Sequence, residues 1–324
     1  MARVHKPRDI IDRKALAGAL EDLAAWSGYS PKTQKRVLEL LKDALAGGRA
    51  EIRRRFEDEG VTGAHNVGAG THLVDQLIRA IHDFALRYVY PAANPTKGEQ
   101  VAVAATGGYG RREMAPHSDI DLMFLLPYKQ TAHGEQLVEY MLYALWDLGL
   151  KVGHATRSLE ESIRLAGEDH TIRTALLEAR FVWGDEEVFR RFKTRFDEEV
   201  VAGSGPDFVD AKLGERDRRH ERMGDARYVL EPNIKEGKGG LRDLQTLLWI
   251  AKYLYRVDDV RELVAKGVLT PDDARRFAKA QNFLWTVRCH LHYLTGRPED
   301  RLTYDVQGEI GRRMGYADHP GLRG

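Results

Sequence analysis

The chain has 324 residues, 43% hydrophobic and 31% charged, with 50 Lys and Arg against 49 Asp and Glu for a net charge of +1. That length accommodates more than one core. The charge balance excludes a strongly basic nucleic-acid coat and an acidic solvating tail, though not a local basic pocket. The single cysteine, Cys289, excludes an intrachain disulfide and a cysteine-based zinc site. No apolar run reaches the roughly 18–20 residues of a membrane span. The start, MARVHKPRDIIDRK, is charged where a signal peptide would be apolar, so the chain reads as cytoplasmic.

Residues 1–95 read as a helical region. One helix is predicted from Lys32 to Gly60, opened by Ser30-Pro31 and carrying Leu38, Leu40, Leu41 and Leu45 on one side. A second is predicted after Gly68 to Gly70, with Leu73, Leu77, Ile81, Phe84 and Tyr88 on one face. The pair His82-Asp83 reads there as a helix surface pair. Pro91 and the segment AANPTKGEQ stop the pattern. From 96 to 185 the period changes. Val101 to Ala105 reads as a buried strand running into a turn at Gly107-Gly108, and Ile120 to Leu126 as a second strand. Thr131 to Leu148 reads as a helix and Lys151 to Arg157 as a third strand, together a small α/β unit. Thr171 to Arg180, Glu186 to Val200 and Asp207 to Met223 read as helices, and Tyr228 to Gly240 as a loop. Leu241 to Tyr255 and Pro271 to Leu294 read as long helices, within which Trp249, Tyr253, Leu254, Phe283, Trp285 and Tyr293 read as core. The expected fold class is α+β, with a small sheet domain at 96–185 between helical regions 1–95 and 186–324.

The chemistry concentrates between Gly107 and Leu122. Asp119 and Asp121 are two apart at a strand start, so both carboxylates project from one face. Two such charges repel unless a cation sits between them, and Mg²⁺ suits hard carboxylate oxygens while keeping positions open for phosphate. A Gly-Gly turn lets backbone N–H groups approach a polyphosphate, with Gly108 expected at positive φ. A D-x-D or a G-G-x-G alone is common. A strand before the glycines and ten residues between Gly108 and Asp119 make the combination specific. A dinucleotide fingerprint is excluded, because its third glycine falls at Glu113. So is a Walker A loop, because Gly237-Lys238 has Pro232 where the first glycine belongs.

This passage resembles the nucleotidyltransferase superfamily, whose pattern here is Thr106-Gly107-Gly108 followed by Asp119-Ile120-Asp121-Leu122. Three longer segments, GGYGRREMAPHSDIDL, KVGHATRSLEE and EPNIKEGKGGLRDLQTLLWIAKYLY, are similar to the bifunctional uridylyltransferase/uridylyl-removing enzymes of bacterial nitrogen control. The resemblance runs from about residue 100 to the end. It implies Mg²⁺ held by Asp119 and Asp121, and UTP with Gly107, Gly108 and Ser118 bordering its triphosphate. It implies transfer of UMP to a tyrosine of the PII signal protein, with release of pyrophosphate, and no membrane or nucleic-acid partner.

The superfamily usually adds a third carboxylate on a neighbouring strand, but Lys151 to Arg157 offers none. Glu178, Glu160 and Glu161 are candidates, each read first as a surface or capping carboxylate. His154 is readable as a phosphate or proton group, or as a buried structural histidine. Arg111 and Arg112 are candidates for bidentate phosphate contact, against plain turn arginines. Lys235, Lys238 and Arg242 lie in a glycine-rich loop entering a helix, a geometry that favours an anion at the helix N-terminus. Of these, Lys238 and Arg242 are the nucleotide-binding candidates. The alternative is a structural loop in which Asp243 favours the dipole.

Members of that family continue into an HD-type phosphohydrolase domain and two ACT domains. This chain stops at Pro320-Gly321-Leu322-Arg323-Gly324, so it is expected to be a truncated piece lacking uridylyl removal and glutamine response. Two alternatives stay open. The adenylyltransferase of glutamine synthetase shares the glycine and D-x-D patterns, but carries D-L-R-L-R where this chain has Gly153-His154-Ala155-Thr156-Arg157. A catalytically silent PII-docking module is the other.

Overall fold

The computed structural model describes residues 4–27, 30–91, 96–128, 130–224 and 229–317. The end at Pro320 to Gly324, part of the segment after Pro91, and Tyr228 therefore lie outside the described residues. A short α1 (Pro7–Ile10) precedes α2 (Arg13–Ser27), α3 (Pro31–Glu57) and α4 (Gly63–Phe84), the last closing in a π-turn at Ala85–Val89. The Ser30 side chain accepts from Thr33 N–H, and Pro31 occupies the first turn of α3, where its missing N–H costs nothing. Helix α4 starts before Gly68, not after Gly70, because the Thr62 side chain caps it by accepting from His65 N–H. Its first residue has to be small: a Cβ on Gly63 would stand 2.2 Å from the Thr286 backbone nitrogen. His82 is buried, at 5% exposure, so the expected surface pair is instead part of the α4 packing face.

The sheet comprises β1 (Ala102–Ala105), β2 (Ile120–Leu126), β3 (Val152–Ser158) and β4 (Arg180–Gly184), in the order β3-β2-β1-β4. The first turn after β1 is a single helical turn, α5 (Gly107–Gly110). Strand β1 runs antiparallel to both neighbours, while β2 and β3 are parallel and are joined by the crossover helix α6 (Ala132–Asp147). Helices α7 (Leu159–Glu168) and α8 (His170–Leu177) follow β3. The expected helix to Arg180 therefore ends early, and RFVWG pairs with β1 as a strand that the pattern did not announce.

Alternation along β2 divides two cores. Ile120, Leu122, Phe124 and Leu126 face the helices of the N-terminal region and α6. Met123 and Leu125 face α7 and α8 together with α9 (Glu186–Arg195), its π-turn Phe196–Val201, and α10 (Gly205–Arg222). Asp119 and Asp121 share the parity of Met123 and Leu125. The remaining helices are α11 (Leu241–Tyr255), α12 (Val260–Ala265), α13 (Pro271–Thr295) and α14 (Tyr304–Arg313). Trp249, Tyr253 and Trp285 are buried as expected, whereas Leu254 and Phe283 lie on the outer faces of their helices, 42% and 45% exposed. The fold is α+β. Among the described residues no helix is long and apolar enough to cross a membrane.

Candidate active site

Asp121 lies opposite Gly153 in the β2–β3 ladder, and its carbonyl accepts from Thr106 N–H at 3.0 Å. The turn after Thr106 opens with Gly107 at φ +55°, a conformation L side chains rarely adopt. A Cβ on Gly107 would stand 2.6 Å from Asp121 Oδ2, and one on Gly153 2.8 Å from Asp121 Oδ1. The two glycines thus make room for one carboxylate from both sides. Gly108, expected at positive φ, is not in that region; the left-handed residue is Gly107, where the chain leaves β1. Burial raises the Asp121 pKa, and the Asp119 charge raises it further. Among the described residues no donor hydrogen-bonds either side-chain carboxylate.

These groups open into a cavity of about 660 Å³ between the sheet and the helices that follow it. Gly107, Gly108, Arg111, Ser118, Asp119, Asp121 and Arg242 all line it. Lys238 does not. It lies in a separate depression with His220 and Asp243, and Lys235 lines the cavity in its place. The anion site expected at the N-terminus of α11 is also absent. Leu241 N–H donates to the Ile234 carbonyl (3.0 Å), Arg242 N–H to Lys235 (2.9 Å) and Asp243 N–H to Gly240 (3.1 Å). The Asp243 carboxylate accepts from Gly239 N–H at 2.7 Å and from Arg219 and His220, so the loop is a self-capped structure.

Of the candidate third carboxylates, only Glu178 lines the cavity. It is 5% exposed, accepts from Arg111 Nη1 at 2.7 Å, and receives the Trp249 indole N–H. Glu160 is exposed and pairs with Arg195 at 2.7 Å; Glu161 is exposed as well. His154 is exposed on β3 beside Trp146, matching neither of its expected readings. Arg111 is not a free phosphate ligand, because Glu178 takes one side of its guanidinium and Glu113 the other at 2.7 Å. Burial works against its charge, and these two carboxylates more than offset it. Arg112 adopts φ +63° and does not line the cavity.

The scaffolding that holds these groups is not legible in the sequence. Glu113 also accepts from Gln245 Nε2 (3.1 Å) and Gln281 Nε2 (2.8 Å), tying the glycine turn to α11 and α13. From the other side, the buried Asp75 of α4 accepts from the Tyr109 hydroxyl at 2.6 Å and from both Arg180 Nη atoms at 3.0 Å. Arg180 in turn donates to the carbonyls of Tyr109 and Gly110. No spacing links these residues in the chain.

A small mixed sheet, a glycine turn after its first strand and paired aspartates on the next define an α+β domain of the nucleotidyltransferase type. A profile of the family GlnD PII-uridylyltransferase matches residues 207–324. The chain is 62% identical over 322 residues to the bifunctional uridylyltransferase/uridylyl-removing enzyme of Rhodospirillum rubrum, covering 99% of this chain and 34% of that one. It is 58% identical over 323 residues to the enzyme of the same name from Azospirillum brasilense (100% and 34%). The corresponding figures for Novosphingobium aromaticivorans are 53% over 321 residues (99% and 35%). The chain is thus similar over its whole length to uridylyltransferase/uridylyl-removing enzymes and spans about a third of the length of these relatives.

Proposed function

We propose that the cavity binds UTP with Mg²⁺ and transfers UMP to a tyrosine hydroxyl of a PII signal protein, releasing pyrophosphate, in the bacterial cytoplasm. The observation that carries this reading is the pair Asp119 and Asp121, which share one face at the cavity wall while no described donor compensates them. Two hard carboxylate oxygens with raised mutual repulsion are a donor set that suits a divalent cation bound to phosphate. When bound there, the cation supplies charge neutralisation at the α-phosphate and the departing pyrophosphate.

The protein's own groups do the rest. Gly107 and Gly153 keep the Asp121 carboxylate uncrowded, and Gly108 and Ser118 border the space for the triphosphate. Glu178 holds Arg111 and the Trp249 ring in place. It is a positioning residue, since the guanidinium and the indole N–H already occupy its oxygens. The relatives' name, uridylyltransferase, and that of the matching family, PII-uridylyltransferase, support uracil and PII over the adenylyl and silent-module alternatives.

The test is to incubate the chain with purified PII, Mg²⁺ and α-labelled UTP or ATP. Label from UTP on a PII tyrosine is expected, lost with EDTA and in Asp119→Asn and Asp121→Asn. Label from ATP alone would replace this reading with adenylyl transfer. Full transfer by both variants would remove the metal site.

A further inference from the structure

Lys235 stands out among the cations of the cavity wall by its burial, since Lys151 and Arg222, which also lack an ion pair among the described residues, are exposed. Its neighbours are neutralised: Arg242 pairs with Glu236 at 3.1 Å, and Arg288 pairs with Asp300 at 2.6 Å. The half-buried Lys235 side chain makes no ion pair or hydrogen bond to any described residue. Its backbone, by contrast, is fixed on both sides. Lys235 N–H donates to Asn233 Oδ1 at 3.0 Å, and its carbonyl accepts from Arg242 N–H at 2.9 Å. One residue earlier, Ile234 N–H donates to the Asp300 carbonyl at 2.8 Å. The loop is thus built to hold a lysine at the cavity and gives it nothing to bind.

A partly desolvated ammonium with no carboxylate in direct contact gains from an anion that can reach it. Burial and the Arg288 charge lower the Lys235 pKa, and the charges of Asp300 and Glu236, neither of which forms an ion pair with it, offset this only in part. The Lys235 charge also reaches Asp121, so both act on one ligand space. An oxyanion with several charged oxygens satisfies the lysine while its other end meets the aspartates.

We propose that Lys235 binds the terminal phosphates of the nucleotide, and the diphosphate once it is released. The helical part of the chain thereby contributes a phosphate anchor to the cavity that the sheet's aspartates line. This rests on the cavity being a nucleotide site, but its test needs no transfer.

Inorganic diphosphate, with Mg²⁺, is titrated calorimetrically into the wild-type chain, Lys235→Met, Lys235→Arg and the neighbouring control Lys238→Met. The expected result is a loss of affinity of about tenfold or more in Lys235→Met, partial recovery in Lys235→Arg and no change in Lys238→Met. UMP, which lacks the terminal phosphates, is expected to bind wild type and Lys235→Met alike. A second measurement avoids variants: acylation of Lys235 in the wild type, followed by mass spectrometry, is expected to be suppressed by diphosphate. Unchanged diphosphate affinity in Lys235→Met, equal weakening of UMP, or no protection of Lys235 would each overturn the proposal. Loss of transfer with diphosphate binding intact would instead count against the proposed reaction.

Discussion

At the scale of single residues, Asp121 depends on what its neighbours lack. Gly107 and Gly153 would each place a Cβ inside 3 Å of its carboxylate oxygens, whereas a Cβ on Gly108 would meet nothing nearer than 3.5 Å. Gly153→Ala is therefore expected to displace the carboxylate and lower transfer at least tenfold, with the circular dichroism spectrum unchanged. Gly107→Ala adds the left-handed backbone cost of about 1–2 kcal/mol, so it is expected to lower both transfer and melting temperature. Gly108→Ala is the control, expected to melt as the wild type does; if all three behave alike, the glycines act only as loop residues. Asp121→Asn keeps the shape and loses the charge, and is expected to cost about a hundredfold or more in transfer. The aspartates and glycines were legible because their chemistry is local. Lys235 and Lys238 are three residues apart in one glycine-rich loop. Which of them meets the cavity is set by tethers to Asn233 and Asp300, and composition does not record those.

At the scale of elements, the long helices were legible from periodicity and caps, and α11 matches its expected span residue for residue. Strand β4 was not, because five residues are too few to show a period and its register comes from β1. Its first residue carries the strut to the glycine turn. Arg180 and Asp75 are 14% and 6% exposed at their side chains, so the pair is largely desolvated. Arg180→Met leaves the Asp75 charge with only the Tyr109 hydroxyl, and is expected to cost about 3 kcal/mol in chemical denaturation. Because Tyr109 and Gly110 lose their anchor, transfer is expected to fall more than stability alone explains. A variant within about 0.5 kcal/mol of wild type would show that the strut is redundant.

At the scale of the whole molecule, the cavity closes between the sheet and the helices after it, and Asp300 is one of the ties. Its backbone carbonyl holds the loop at Ile234, and its carboxylate holds Arg288. Burial pushes its pKa up, but the hydrogen bond with His292 and the Arg288 charge outweigh that and bring it to about 2, below the ordinary 3.8. A carboxyl depressed on folding stabilises the native state fully above about pH 4, and the contribution disappears as pH falls through about 2. The loss is on the order of 2 kcal/mol. Asp300→Asn is accordingly expected to flatten the acid limb of melting temperature against pH between about 4 and 2, and an unaltered limb would place the acid sensitivity elsewhere.

By itself the sequence determined the α+β class, the spans of α11 and α13 to within a residue, and the glycine turn with its paired aspartates. In each of these the deciding interactions lie within a few residues, so spacing carries the physics. The tertiary structure alone decided which glycine takes positive φ and which lysine meets the cavity. It also decided that Glu178 is bound to Arg111 and Trp249, and that α4 supports the turn through Asp75. Those outcomes depend on groups up to 105 positions apart in the chain meeting in a desolvated space. There the worth of a charge is set by its partner, and a linear pattern does not contain the partner.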